Sequence, residues 1–222
     1  MKRVSTGSIL NSILSGGYES DIITTVYGPA ASGKTLFCLL CAVEIAKTKK
    51  VLYIDTEGGF SVERVKQICK EPDKILGNIF ILKPTNFSEQ KKDFEKLKEM
   101  IDDKIGLIVI DTISMLYRLE MGKTDDVYGI NRELGQQISY LSEITRKKNI
   151  PVLLTNQVYA DFDNKENVKM VGGDILKYGS KCLIELQVGH RGVRKAILIK
   201  HRSIPQNEML YRIVNEGIAE VV

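Results

Sequence analysis

The chain has no tryptophan, only five prolines, two histidines and four cysteines, and no apolar run longer than the eight residues Leu36 to Val43. Each scarcity removes a class of protein. A bilayer-spanning helix needs about 18 to 20 consecutive apolar residues, so no segment is expected to cross a membrane. Lys2 and Arg3 open the chain, but Ser, Asn and Gly then break up the apolar residues. No secretory apolar stretch follows, and a cytoplasmic protein is expected. Cys38 and Cys41 form one Cys-x-x-Cys with no second pair to complete a zinc site, so the thiols read as small buried apolar groups. There is no internal repeat, low-complexity segment or Pro/Gly-rich linker. A chain of 222 residues, 43% of them apolar, can bury roughly 70% of its unfolded surface, and one domain over residues 1–222 is expected.

A dominant charge is also missing, since 32 Lys and Arg stand against 28 Asp and Glu for a net +4. The excess is local. From Lys165 onward there are ten basic against six acidic residues, while the first 164 balance at 22 each. Two readings stay open: a solvated basic surface, or a stripe that neutralises phosphates.

What is present is an alternation of short β-branched runs with longer segments of helical period, the pattern of βαβ units building a parallel sheet. It predicts strands over Ile22–Tyr27, Val51–Asp55, Ile79–Leu82, Leu107–Ile110 and Val152–Thr155. Helices are predicted over Lys34 to about Lys47, Val62–Cys69, Glu89–Asp102 and Ile130–Lys147. After residue 180 the runs Cys182–Val188, Lys195–Lys200 and Tyr211–Val214 are separated only by turns, which favours antiparallel pairing. The expected fold is α/β, a mainly parallel twisted sheet flanked by helices with an antiparallel C-terminal extension. Tyr159–Gly173 is polar and aperiodic and reads as a mobile loop.

Gly28-Pro29-Ala30-Ala31-Ser32-Gly33-Lys34-Thr35 fits the spacing G-x-x-x-x-G-K-[ST] between a predicted strand and a predicted helix. At ordinary residue frequencies such a match arises by chance about once in a hundred chains of this length. Glycines let the backbone close around an anion while successive N–H groups and the helix N-terminus face it. Lys34 would meet the β and γ phosphate oxygens of a nucleotide, and the Thr35 hydroxyl would meet Mg²⁺. A carboxylate at the end of a neighbouring buried strand is needed beside that ion, and Leu107-Ile108-Val109-Ile110-Asp111 supplies Asp111. Hydrolysis also needs a group to orient water. Glu57, just past another predicted strand, is the first choice and Asp55 the alternative. In Thr155-Asn156-Gln157, the amide of Gln157 is a candidate γ-phosphate sensor, or a polar residue that merely closes a strand.

Taken together, Gly16-Gly17-Tyr18-Glu19, the 28–35 loop, Asp55-Thr56-Glu57-Gly58-Gly59-Phe60-Ser61, LIVID, TNQ and Gly172-Gly173-Asp174 stand in the order found in the RecA/RadA recombinase superfamily. The chain resembles its ATPase core from about residue 5 onward, most nearly the stand-alone archaeal branch. The resemblance implies a RecA-like P-loop NTPase that binds ATP and Mg²⁺, with Lys34, Glu57 and Gln157 catalytic and Thr35 and Asp111 on the metal. It also implies Arg64 packed on adenine and Pro205 capping a neighbour's nucleotide. Two DNA-binding loops are implied, Arg118–Arg132 (with Arg118, Lys123 and Arg132) and Tyr159–Gly173. In the second loop Lys165 and Lys169 suit phosphates, and Tyr159 and Phe162 suit stacking on bases; Asp161, Asp163 and Glu166 oppose them.

The implied function is DNA repair and homologous recombination. Sequence-independent binding of single- and double-stranded DNA is implied, with weak Mg-dependent ATPase and an accessory role beside RadA and a Holliday-junction resolvase. The pattern also departs from the superfamily. No helix-hairpin-helix domain precedes the core, and none of the six Phe residues has Ala three places later, so the F-x-x-A motif that chains recombinase subunits is absent. Filaments by that route are therefore not expected; the second loop is also short, so strand exchange is not expected either, while a homo-oligomer stays compatible. The alternatives are a regulatory module that holds ATP without hydrolysing it, and a KaiC-like or helicase-type ATPase of the same fold.

Overall fold

The computed structural model describes residues 2–160 and 168–221. The chain begins with β1 (Arg3–Val4), α1 (Leu10–Ile13) and β2 (Tyr18–Glu19), with β1 and β2 paired antiparallel. Then follow β3 (Ile23–Tyr27), α2 (Lys34–Ala46), β4 (Lys50–Asp55), α3 (Val62–Ile68), α4 (Pro72–Leu76), β5 (Ile79–Leu82), α5 (Phe87–Met100) and β6 (Ile105–Asp111). Next come α6 (Met115–Met121), α7 (Val127–Lys148), β7 (Val152–Asn156), β8 (Val158–Ala160), β9 (Val168–Met170) and α8 (Gly173–Gly179). The chain closes with β10 (Cys182–Val188), β11 (Arg194–Lys200), β12 (Asn207–Val214) and β13 (Gly217–Glu220).

One sheet of nine strands runs β13-β12-β11-β10-β3-β7-β6-β4-β5. From β10 to β5 neighbours are parallel, and from β10 to β13 they are antiparallel. The α/β fold with an antiparallel extension is as expected. Strands β3 and β7 are buried at every residue, which is why their runs show no polar alternation. Helices α1 to α4 cover one face through Leu10, Phe37, Cys41, Val65 and Ile75. Helices α5 to α8 cover the other through Phe94, Leu97, Leu134, Leu141 and Leu176. Cys38 and Cys41 are buried, unpaired thiols of α2, packed in the first of these layers. No helix among the described residues is long and apolar enough to cross a membrane.

Several boundaries differ from the sequence reading, and local hydrogen bonds explain most of them. Helix α5 starts at Phe87 because the Asn86 side chain accepts from Glu89 N at 2.9 Å, while Glu89 accepts from Thr85 N at 2.7 Å. Helix α7 starts at Val127 because Asp126 caps it through Gly129 N at 2.9 Å. The expected loop Arg118–Arg132 is therefore mostly helix, with Arg118 in α6 and Arg132 in α7. Tyr159–Gly173 is not wholly a loop either. Its flanks pair as β8 and β9, and Gly172 at φ +79° leads into α8. Strand β12 begins at Asn207, earlier than expected, with Met209 and Tyr211 facing the core between exposed Glu208, Leu210 and Arg212.

Candidate functional site

The turn from β3 into α2 wraps residues 28–33 into a cup beside the antiparallel strands. A Cβ on Gly28 would collide with the Leu186 carbonyl oxygen on β10. Gly33 has φ +99°, and a Cβ there would press on Ile213 at 3.2 Å. Only glycine meets both conditions without displacing a neighbour. Lys34 reaches back over the cup, its ammonium donating to the Gly28 and Pro29 carbonyls at 2.9 Å each. Burial lowers the Lys34 pKa, and the nearby carboxylates of Glu57 and Asp111 oppose that shift.

Asp111 ends β6 on the same edge and is 1% exposed. Its Oδ2 accepts from the Tyr53 hydroxyl at 2.9 Å and its Oδ1 from Thr155. Burial nevertheless holds its pKa above the usual carboxylate value, opposed by hydrogen bonds from Thr155, Thr35 and Tyr53. The Thr35 hydroxyl thus stands beside Asp111, where both oxygens could face one cation.

The two carboxylates left open by the sequence are separated by what they touch. Both oxygens of Asp55 are taken by the loop that follows it, at 3.0 Å from Gly59 N and 3.0 Å from Phe60 N. Glu57 is exposed. Its Oε1 accepts from Gln157 Nε2 at 2.6 Å and from the Thr112 hydroxyl at 3.1 Å. Thr112 also exchanges hydrogen bonds with Thr56 at 2.8 and 2.9 Å, which joins the ends of β4 and β6. Lys34, Glu57, Asp111 and Gln157 accordingly gather at the C-terminal ends of adjacent parallel strands, where open α/β sheets bind ligands.

These residues fit a magnesium nucleotide. The buried atoms Ser32 Oγ and Gln157 Oε1 have no hydrogen-bond partner, as befits groups meant for a polar ligand. No cluster of three His, Cys, Asp or Glu among the described residues could hold a metal alone. Thr35 and Asp111 would leave most of a Mg²⁺ shell to phosphate oxygens and water, which is how that ion usually binds.

Other expected residues lie elsewhere. The Arg64 guanidinium is bound to the β12–β13 turn, donating to Val214 O at 2.6 Å and Asn215 O at 3.0 Å. Pro205 is not brought to the cup. The registers put residues 182 and 200 near Thr24 and residues 188 and 194 near the cup, so Pro205, between Lys200 and Asn207, is at the opposite end of the sheet. Arg118, Lys123 and Arg132 are exposed on α6, the α6–α7 turn and α7. Tyr159 and Lys169 face each other across the β8–β9 ribbon. A hollow of about 490 Å³ at the base of that ribbon is lined by Tyr27, Tyr159, Lys169, Lys177, Leu183 and Ile199, among others. Phe162 and Lys165 lie outside the described residues. The sequence reading missed Tyr53, Thr112, Arg194 and Tyr211. Thr112, next to Asp111, had a local signal, whereas the other three reach the site only through sheet pairing.

Residues 1–221 match the Rad51 family. A protein of Methanococcus maripaludis called DNA repair and recombination protein RadB is 42% identical over 214 residues, covering 95% of this chain and 97% of that protein. A protein of the same name from Methanobrevibacter smithii is 40% identical over 225 residues, covering 97% and 95% respectively. A crystal structure of the RadB recombinase superposes with TM-score 0.84 at 37% identity, covering 98% of this chain and 99% of that one.

Proposed function

The chain belongs to the Rad51 family, and from that premise we propose that it is a RadB-type recombinase paralogue, an accessory of DNA repair and recombination with a weak Mg-dependent ATPase. The hydrogen bond of 2.6 Å from Gln157 to Glu57, beside the Lys34 cup, carries this reading. It links the one carboxylate of the 55–57 segment not spent on its own loop to a neutral amide with a spare buried oxygen. Residues 28–35 bind the phosphate chain, Lys34 meeting its terminal oxygens once it leaves the loop carbonyls. Glu57 orients the attacking water, and Gln157 reads the terminal phosphate and passes its presence to the β8–β9 ribbon. Thr35 and Asp111 would hold Mg²⁺, which would supply neutralisation of phosphate charge.

Residues 1–222 act as one core domain in this reading. Weak turnover is supported by the position of Pro205, which leaves the cup of a lone chain without that cap. The absence of F-x-x-A supports an accessory role without strand exchange of its own. DNA, single- or double-stranded and without regard to sequence, would lie over the ribbon and the α6–α7 turn. Arg118, Lys123, Arg132, Tyr159, Phe162, Lys165 and Lys169 would contact it, and RadA and a Holliday-junction resolvase are the partners in view. A cytoplasmic location goes with these partners.

Single-turnover ATP hydrolysis with and without single-stranded DNA tests the catalytic assignment. Glu57→Gln should slow hydrolysis by about 100-fold or more and still bind ATP. Equal rates in both proteins would overturn the assignment of Glu57. Negligible hydrolysis by both, with ATP still bound, would favour the second reading, a regulatory ATP-binding module, which the hold of Thr112 and Gln157 on Glu57 also suits.

A further inference from the structure

The cup contains one residue in a conformation its side chain disfavours. Ala31 has φ +61°, a left-handed geometry that brings the Cβ of an L-residue too close to the backbone. Its carbonyl accepts from Arg194 Nε at 3.0 Å, and the next carbonyl, of Ser32, accepts from the Tyr211 hydroxyl at 2.7 Å. Arg194 and Tyr211 are direct cross-strand partners in the β11–β12 ladder. Arg194 is itself steadied by a bond from its Nη1 to Gly192 O at 2.9 Å. In a trans peptide the C=O and N–H point in opposite directions. Holding the Ala31 and Ser32 carbonyls against the antiparallel strands therefore turns the Ser32 and Gly33 N–H groups to the other side, where the Ser32 N–H makes only a long bond of 3.4 Å to the Pro29 carbonyl.

We propose that Arg194 is a positioning residue of the nucleotide site: its guanidinium fixes Ala31 in the left-handed conformation and so aims the loop amides at the phosphates before nucleotide arrives. This rests on the reading of residues 28–35 as a phosphate cradle. Arg194 touches the loop from behind, its guanidinium bound to the Ala31 and Gly192 carbonyls. Its contribution is to remove conformational freedom that the ligand would otherwise have to remove on binding.

The discriminating experiment uses the strain itself. Glycine adopts positive φ without penalty, so an Ala31→Gly background should need Arg194 less. With Mg²⁺ and a fluorescent ATP analogue, Arg194→Met should weaken binding about tenfold in the wild-type background, the loss of one charge-assisted bond. The same change should cost about twofold or less beside Ala31→Gly. Hydrogen exchange of the amides of residues 31–33 in the nucleotide-free protein should follow the same pattern, about tenfold faster in Arg194→Met and unchanged by it in the Ala31→Gly background. Arg194→Lys, which keeps the charge but not the direction of Nε–H, should recover less than half of the lost free energy of binding. An equal cost in both backgrounds, or no cost in either, would overturn the proposal. If no variant or wild type binds the analogue, the cradle reading fails, and the exchange data still decide the role of Arg194.

Discussion

In the parallel half of the sheet each candidate chemical group stands at or just beyond the end of a strand: Lys34 after β3, Glu57 after β4, Asp111 at the end of β6 and Gln157 after β7. In the antiparallel half the contributing groups are borne by the strands themselves, Arg194 on β11 and Tyr211 and Ile213 on β12, and they reach the cup from behind. The difference follows from topology. Parallel strands all deliver their C-terminal ends to one edge, so loops from several of them converge on a ligand. Antiparallel strands deliver alternate side chains to a face, which suits them to support a loop and not to act on what it holds.

If the antiparallel half is a support, disturbing its closest contact should damage the cup most. Gly28→Ala places a methyl group against the Leu186 carbonyl of β10, a backbone atom that cannot swing aside. We expect a loss of about 2–3 kcal/mol in urea unfolding, in the range of overpacked interiors, together with a loss of nucleotide affinity. A variant as stable as wild type, with full affinity, would break the comparison, since β10 would then not be bearing on the loop.

The opposite sign is expected on the chemical side. Burial holds the Asp111 pKa above its ordinary value, so the folded state takes up its proton at higher pH than the unfolded state. The ionised form therefore costs stability at neutral pH, and that cost disappears as pH falls through the raised value toward the ordinary 3.8 of the unfolded chain. Asp111→Asn should accordingly raise the Tm of the nucleotide-free protein at pH 7 by about 3 °C, roughly 1 kcal/mol for a chain of this size. The gap should close near pH 4, and Mg-dependent nucleotide binding should be lost. A lower Tm at pH 7 would mean that the bonds from Tyr53, Thr155 and Thr35 outweigh desolvation, making Asp111 a structural residue like those behind the cup.

The same division decided what could be read from the sequence. Lys34, Asp111 and Glu57 were legible because each follows a short apolar run, and the end of such a run locates the chemical edge without knowledge of strand order. Asp55 and Glu57 could not be separated by spacing. Their difference lies in two backbone donors, Gly59 N and Phe60 N, which only the folded loop presents to Asp55. Arg194 and Tyr211 were invisible for another reason. They meet the cup across 163 and 179 residues of chain, and nothing in local periodicity records such a pairing. The start of α7 was missed although Asp126 could have marked it. The apolar stripe becomes clear only at Ile130, and a cap four residues earlier competes with every other Asp in a polar stretch.

The finest test of the support removes one atom. Tyr211 is fully buried, its ring set edge-on to Phe37 at 5.4 Å with an interplanar angle of 71°, and its hydroxyl donates to Ser32 O. Tyr211→Phe keeps the ring and that packing and leaves the Ser32 carbonyl without this donor. The expected cost is about 0.5–1 kcal/mol of stability, the net worth of one hydrogen bond. A weaker grip on nucleotide of about threefold to fivefold should accompany it. If β11 and β12 support the cup together, the cost should depend on Arg194, because both side chains hold successive carbonyls of the same turn. In a double-mutant cycle with Arg194→Met the two losses in affinity should then fall short of adding by at least about 0.5 kcal/mol. Strict additivity would mean that each strand holds its own carbonyl independently, and the extension would be two separate props behind the loop and not one surface.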